Sequence, residues 1–249
     1  MKSRVQPGER LRVAAEKQAA ILARTPAGAT ISAVAPVARS TTRCSIRVGG
    51  RIVARLEADA VRELGISVGD PWSPALAQRI LERTGFERYK AHAMRSLALR
   101  PLSRRDLVNR LAARGAGSAI AERVAQEMES AGFLNDAAYA EALVRSVTRS
   151  RPAGSRLLES KLRAKGVERE AAAAAVRKAA SESDPLAEAI ILASRRARLA
   201  PPKLDPRARA RRLLGLLARR GFAPGVAAEA VRRALELAKN GIPEADTEF

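Results

Sequence analysis

The sequence predicts a mainly α-helical chain, three tandem three-helix repeats in an elongated curved array, preceded by a small α+β module with a β-hairpin. Three observations predict it. Aromatics make up only 3% of the 249 residues while Ala, Leu and Arg are plentiful, a mixture of strong helix formers that favours helix packing over a β sandwich. Strand signals are confined to one stretch, from Thr30 to about Thr84. After Glu87 they vanish, and a pattern Leu-x-x-x-Leu-x-x-(Arg/Lys)-Gly recurs three times.

In chain order, residues 1–28 are charged, end in Thr25-Pro26-Ala27-Gly28 and read as a basic, partly disordered tail, with an amphipathic helix around Arg10–Arg24 whose role is not legible. Residues 29–86 read as the α+β module. Ile31–Val37 and Cys44–Val48 are rich in β-branched residues, and Gly49-Gly50 supplies the positive φ angles of a tight turn, which pairs Cys44–Val48 with Ile52–Leu56. Asp59 opens a short helix that Gly65 closes. Gly69-Asp70 marks a turn, and Ser73-Pro74 places a cap and an N-terminal proline ahead of a helix expected to end near Thr84.

Residues 87–135, 136–183 and 184–240 read as three-helix repeats, and 241–249 as a C-terminal tail. The repeated core is Leu107, Leu111, Arg114, Gly115, then Leu158, Leu162, Lys165, Gly166, then Leu213, Leu217, Arg220, Gly221. Each copy ends a helix in the same way: two leucines one turn apart, a cation near the negative helix terminus, and Gly just beyond it. Val124, Val176 and Val231 follow at nearly constant distance and place a third helix on each core. The upstream helices carry Ala91, Met94, Ala98; Tyr139, Leu143, Val147; and Leu186, Ala189, Ile190 at helical spacing. Ser103, Asn135 or Asp136, Asp184-Pro185 and Asp205-Pro206 supply the caps, and Leu102 with Leu107 has the spacing of a hydrophobic staple.

Lys plus Arg number 46 against 26 Asp plus Glu, a formal charge of +20. Such an excess points to a polyanion, nucleic acid first, with an acidic protein surface or an anionic membrane as the other candidates; part of it is accounted for by a GC-rich coding sequence. The one cysteine, Cys44, forms no internal disulfide and fits a reducing compartment. No apolar run reaches the length of a membrane span and the N-terminus lacks a signal-peptide pattern, so the expected location is cytoplasmic, with no membrane partner.

No Gly-x-x-x-x-Gly-Lys-(Ser/Thr) phosphate cradle occurs, and Gly115-Ala116-Gly117 is a helix-ending turn. A single histidine, His92, and a single cysteine exclude a zinc cluster or a histidine-based triad within one chain, and His92 reads as structural or solvated. No catalytic residue, cofactor or metal is expected. The signal lies in charge placement: Arg145 to Lys165 holds seven cations and one acid, Arg195 to Arg220 ten cations and one acid, in corresponding parts of successive repeats. The candidate binding surface is therefore Arg145, Arg149, Arg151, Arg156, Lys161 and Lys165 together with Arg195, Arg196, Arg198, Arg207, Arg209, Arg211 and Arg212. Aromatics able to stack on bases are few, namely Trp72, Tyr89, Phe133, Tyr139 and Phe222, and Tyr139 and Phe222 sit at core positions, so binding should be phosphate-driven and nearly sequence-independent.

The segment Gly132-Phe133-Leu134-Asn135-Asp136-Ala137-Ala138-Tyr139-Ala140, followed by a basic stretch, Gly154 and Leu158-x-x-x-Leu162-x-x-Lys165-Gly166-Val167, resembles the signature of the RecX regulatory proteins. The likeness covers about residues 87–240, and the module ahead of it is similar to an extra domain of some members. Gly154 preceded by Arg151-Pro152-Ala153, and an insertion around Pro201–Pro206, depart from the pattern. The resemblance implies a non-enzymatic regulator, mainly an inhibitor, that binds the groove of the RecA filament on single-stranded DNA. There it would suppress ATP hydrolysis, strand exchange and filament growth, in recombination, repair and the SOS response. Its partners would be the RecA filament and single-stranded DNA, and it would act as a monomer. Two other readings stand beside it: a helix-turn-helix-like DNA-binding protein, for which no helix carries a suitable Asn, Gln and Arg cluster, and a nucleic-acid chaperone or ribosome-associated protein acting through charge alone.

Overall fold

A computed structural model describes residues 7–38, 40–199, 201 and 205–240. The expected tail at 241–249 lies outside them. Among the described residues the chain is mainly helical, with one three-stranded antiparallel sheet, and it divides into two compact units, Met1–Leu134 and Asn135–Phe249.

The first unit begins with α1 (Pro7–Ala23), followed by the strands β1 (Ile31–Pro36), β2 (Arg43–Val48) and β3 (Arg51–Glu57) in sheet order β1-β2-β3. The Gly49-Gly50 turn has φ of 55° and 75°, the two positive values a two-residue hairpin needs, and it sets Val48 opposite Arg51 and Cys44 opposite Leu56. The stretch expected as a tail is, over α1, a packed helix. Leu11, Gln18 and Leu22 recur on one helical face; Leu22 is buried with Ile31, Ile46, Leu56, Trp72 and Ile80, and the Gln18 side-chain amide donates to the Val53 carbonyl at 2.7 Å. Leu11 packs on the core of the first repeat.

After the short helix α2 (Ala58–Glu63), a second difference from expectation appears. The helix opened by Ser73 does not stop near Thr84 but runs unbroken as α3 (Pro74–Leu99), across the boundary placed at 86/87. Thr84 sits inside it, its hydroxyl donating to the Ile80 carbonyl at 2.7 Å. The neighbouring Gly85 is not a stop signal: a Cβ there would stand 3.4 Å from Ile120 Cδ1, so its smallness serves close helix packing. Ile80 from the first half of α3 fills the module core, and Phe86, Tyr89 and Ala93 from the second half fill the core of the first repeat, with α4 (Arg104–Ala112) and α5 (Ser118–Ser130). Leu107, Leu111 and Val124 are fully buried there, and Ser103 caps α4 by accepting from the Asp106 N–H at 3.1 Å.

Glu87 fastens the sheet to α3. Its Oε1 accepts from the Glu57 backbone N–H at 3.1 Å, and Arg43 and Arg83 approach it at 3.6 and 3.5 Å. Burial outweighs these contacts and raises its carboxyl above the ordinary range. Arg43 keeps Glu57 at 3.6 Å and Arg83 keeps Glu63 at 2.9 Å, so neither guanidinium depends on Glu87 alone. Glu87→Gln is therefore expected to cost less than about 1 kcal/mol, whereas Glu87→Ala, which strands the Glu57 N–H, costs about 2 kcal/mol. Because the folded-state value is raised, the wild type loses stability relative to the Gln variant as pH rises from the unfolded value through the folded one. Urea titrations of all three proteins between acid and neutral pH test this, and a Gln variant as unstable as the Ala variant would contradict it.

The second unit holds α6 (Asp136–Ser150), α7 (Ser155–Ala164), α8 (Arg169–Ser181), α9 (Pro185–Arg198), α10 (Pro206–Arg219) and α11 (Pro224–Asn240). Asn135 rather than Asp136 caps α6, accepting from the Ala138 N–H at 2.9 Å, while Asp184 and Asp205 cap α9 and α10 ahead of their prolines. One core gathers Leu158, Leu162 and Val176; another gathers Leu213, Leu217 and Val231 with Ala189, Ala193, Ala197, Ala227, Ala230 and Ala234. These alanines let α9 and α11 lie side by side at short range.

Candidate nucleic-acid interface

Geometry at the junction of the second and third repeats decides where the cations of the second unit stand. The Gly154 N–H donates to the Arg220 carbonyl at 2.8 Å and the Arg156 N–H to the Gly221 carbonyl at 3.2 Å. The Arg220 guanidinium closes the same clasp from the other side, donating through Nε to the Pro152 carbonyl at 2.9 Å and through Nη2 to the Arg151 carbonyl at 2.7 Å. Both glycines are required by proximity: a Cβ on Gly154 would overlap the Gly221 carbonyl, and one on Gly221 would overlap the Leu157 amide. The two repeats thus dock backbone to backbone, and the Arg151-Pro152-Ala153-Gly154 departure noted in the sequence is one half of the contact.

The clasp fixes the corner between α6 and α7 against the turn between α10 and α11. Arg149, Arg151 and Arg156 are exposed at that corner. Arg195, Arg196 and Arg198, in the last turn of α9, and Arg207, Arg211 and Arg212, on the first half of α10, are exposed at the loop joining those helices. Arg209 is half-buried there and donates to the Pro201 carbonyl at 3.2 Å. The rise of α10 over its 14 residues, about 21 Å, separates the two groups. Lys161 and Lys165 stand at the far end of α7 from the clasp.

These cations differ in availability. Arg145 is engaged by Glu141 at 3.3 Å, and Lys178 engages the same carboxylate at 2.9 Å; the Lys178 hydrogen bond is the main reason that carboxyl is held below its ordinary range. Arg149, Arg151, Arg156, Arg195, Arg196, Arg207, Arg211 and Arg212 have no carboxylate partner among the described residues. Unpaired exposed guanidinium groups are forked donors suited to phosphate oxygens. Stacking contributes little, since Trp72, Tyr89 and Phe222 are buried, Tyr139 packs against a core, and Phe133 alone of the aromatics among the described residues is well exposed, at 58%.

Among the described residues no cluster of three or more His, Cys, Asp or Glu is placed to hold a metal, and no helix is long and apolar enough to cross a membrane. Sequence reasoning missed two things here. Arg220, counted in the basic run, is occupied in the clasp, a fact no local pattern signals. Arg95, Arg110 and Arg114 of the first unit converge on His92, with Arg88 one turn before it on the same helix, although they form no run.

Comparison with known proteins adds to this arrangement. The family model for the second three-helix domain of RecX matches residues 135–176, which hold α6, α7 and most of α8. The "Regulatory protein RecX" of Streptomyces lividans is 39% identical over 157 residues, covering 62% of this chain and 81% of that protein. The chain belongs to the RecX family. Its relative in Thermobifida fusca (strain YX), of the same name, is 34% identical over 152 residues, 61% of this chain and 80% of that one. A crystal structure of regulatory protein RecX aligns with a TM-score of 0.70 at 19% identity, over 82% of this chain and 99% of that one. RecX from Lactobacillus salivarius aligns with a TM-score of 0.55 at 16% identity, over 61% and 97%. These two structures share the fold.

Proposed function

We propose that this RecX family protein regulates the RecA recombinase, mainly as an inhibitor, in the cytoplasm, acting in homologous recombination and DNA repair, including the SOS response. It binds the groove of the RecA filament on single-stranded DNA as a monomer. By contact and not by catalysis it suppresses ATP hydrolysis, strand exchange and filament growth. The observation that carries the reading is the set of exposed, carboxylate-free arginines at the two ends of α10, one group of them beside the clasp between the repeats. Guanidinium groups carried on a docked pair of repeats meet phosphates, or the acidic side chains of a partner, without the backbone having first to be ordered.

The test is ATP hydrolysis by the cognate RecA on single-stranded DNA, titrated with the wild type and with a variant neutralised at Arg207, Arg209, Arg211 and Arg212. Strong inhibition below one protein per recombinase, weakened at least about tenfold by the neutralisation, is expected. Absence of inhibition with DNA binding intact would defeat the reading and leave a general nucleic-acid-binding protein.

A further inference from the structure

The first unit carries a second cationic site, outside the thirteen residues read from the charge runs. Arg88, His92 and Arg95 recur at helical spacing along one face of α3. The C-terminal end of α4 is pinned against that helix, because the Tyr89 hydroxyl donates to the Arg114 carbonyl at 3.3 Å. This brings in Arg110 and Arg114, whose Nη1 donates back to the Arg110 carbonyl at 3.2 Å. His92 reports the convergence: burial first, then the charges of Arg114, Arg95 and Arg110, lower its pKa, and no carboxylate counters them. It contributes a neutral ring with Nε2 3.4 Å from the Ser96 hydroxyl.

Cations at a helix C-terminus are ordinary, which accounts for Arg110 and Arg114 singly. It does not account for Arg88 and Arg95, which come from another helix, at its middle and ahead of its last turn. Nor does it explain why Arg88, Arg110 and Arg114 are half-buried while none of the four has an ion pair among the described residues. Elsewhere in this unit half-buried cations have carboxylates: Arg83 with Glu63, Lys90 with Glu127, Arg104 with Glu122. The Arg114 Nε is buried and without a hydrogen-bond partner. A concentration of partly desolvated guanidinium groups lacking an internal counter-charge is a site short of an external anion.

We infer that Arg88, Arg95, Arg110 and Arg114 form an anion site that takes the phosphodiester backbone of a single nucleic-acid strand, so that the first unit contacts DNA independently of the second. The choice of a single strand over another polyanion rests on the proposed function; the site itself rests on the geometry of α3 and α4.

The experiment is fluorescence anisotropy of a labelled oligothymidylate with the full chain, across a series of salt concentrations. The exposed Arg95 is replaced together with Arg110, as Arg95→Ala/Arg110→Ala and as Arg95→Lys/Arg110→Lys. The Ala pair is expected to reduce the slope of log K against log salt by about 1.4, with affinity at least about fivefold weaker, and the Lys pair to restore the slope. Thermal melts of each variant separate binding from folding. Slope and affinity unchanged in a folded Ala pair would overturn the inference, as would weaker binding to polyglutamate with oligonucleotide binding intact, which would assign the cluster to an acidic protein. RecA ATP hydrolysis is read in parallel: inhibition with an unchanged salt slope in the Ala pair sinks this site and spares the proposed function. A reduced slope without inhibition does the reverse.

Discussion

Gly221→Ala is expected to destabilise the second unit by about 3 kcal/mol, and Gly154→Ala by about 2 kcal/mol, while Gly115→Ala, at the equivalent position of the first repeat, costs about 1 kcal/mol. The three substitutions separate two effects. Gly115 and Gly221 share a left-handed backbone, with φ of 89° and 81°, so both variants carry the same backbone strain. Around Gly115 there is room, the nearest atom to an added Cβ being the Tyr89 hydroxyl at 3.5 Å; at Gly221 the added atom overlaps the Leu157 amide. Gly154 has an ordinary φ of −75°, so its penalty is the overlap with Gly221 alone. Hydrogen exchange is the appropriate measurement, because a chain of two compact units need not unfold in one step. The amides of Gly154 and Arg156, bonded across the clasp, should lose protection in the Gly154 and Gly221 variants and keep it in Gly115→Ala. Equal protection in Gly221→Ala and Gly115→Ala would mean that the clasp does not hold the repeats together.

What the sequence revealed and what it hid follow from the range of the interactions. The hairpin was legible because Gly49-Gly50 and the alternation around it act within a few residues, and the helix starts were legible because Ser73, Ser103, Asp184 and Asp205 cap the N–H groups just after them. The leucine pairs gave the repeat because each core is rebuilt from the same three positions. The continuity of α3 was not legible, since Gly85 looks like a break in sequence and acts as a contact to Ile120 in space. Neither was the packing of α1, whose polar surface conceals the few positions, Leu11, Gln18 and Leu22, that touch the rest of the unit. For the candidate site, counting located the cations but not their employment. Arg220 and Arg211 look alike in the basic run, yet one holds two carbonyls across 68 residues or more and the other has no partner among the described residues. Arg88, Arg95, Arg110 and Arg114 were overlooked because a cluster made by packing two helices leaves no run to count.

That difference in employment fixes how binding to single-stranded DNA should respond to salt. If six of the unpaired guanidinium groups meet phosphates, log K falls against log salt with a slope of about −4, and affinity drops a few hundredfold between about 50 and about 200 mM. Replacing Arg211 and Arg212 by Gln should make the slope shallower by about 1.4, since each exposed, carboxylate-free guanidinium that meets a phosphate of a single strand contributes about 0.7 to it. The same loss of two charges at Arg232 and Arg233 should leave it nearly unchanged. Those two already hydrogen-bond Glu229, whose carboxyl they hold at about 2, and Arg232 also holds Glu236 at 2.8 Å, so they have little to offer a phosphate. Arg220→Gln gives a third pattern, a small change in slope with a loss of stability in the second unit, because its guanidinium works inside the clasp. Anisotropy titrations over the salt series distinguish these outcomes. Equal slope changes for the Arg211/Arg212 and Arg232/Arg233 pairs would show that net charge, and not the placement of unpaired arginines around α10, governs the interaction.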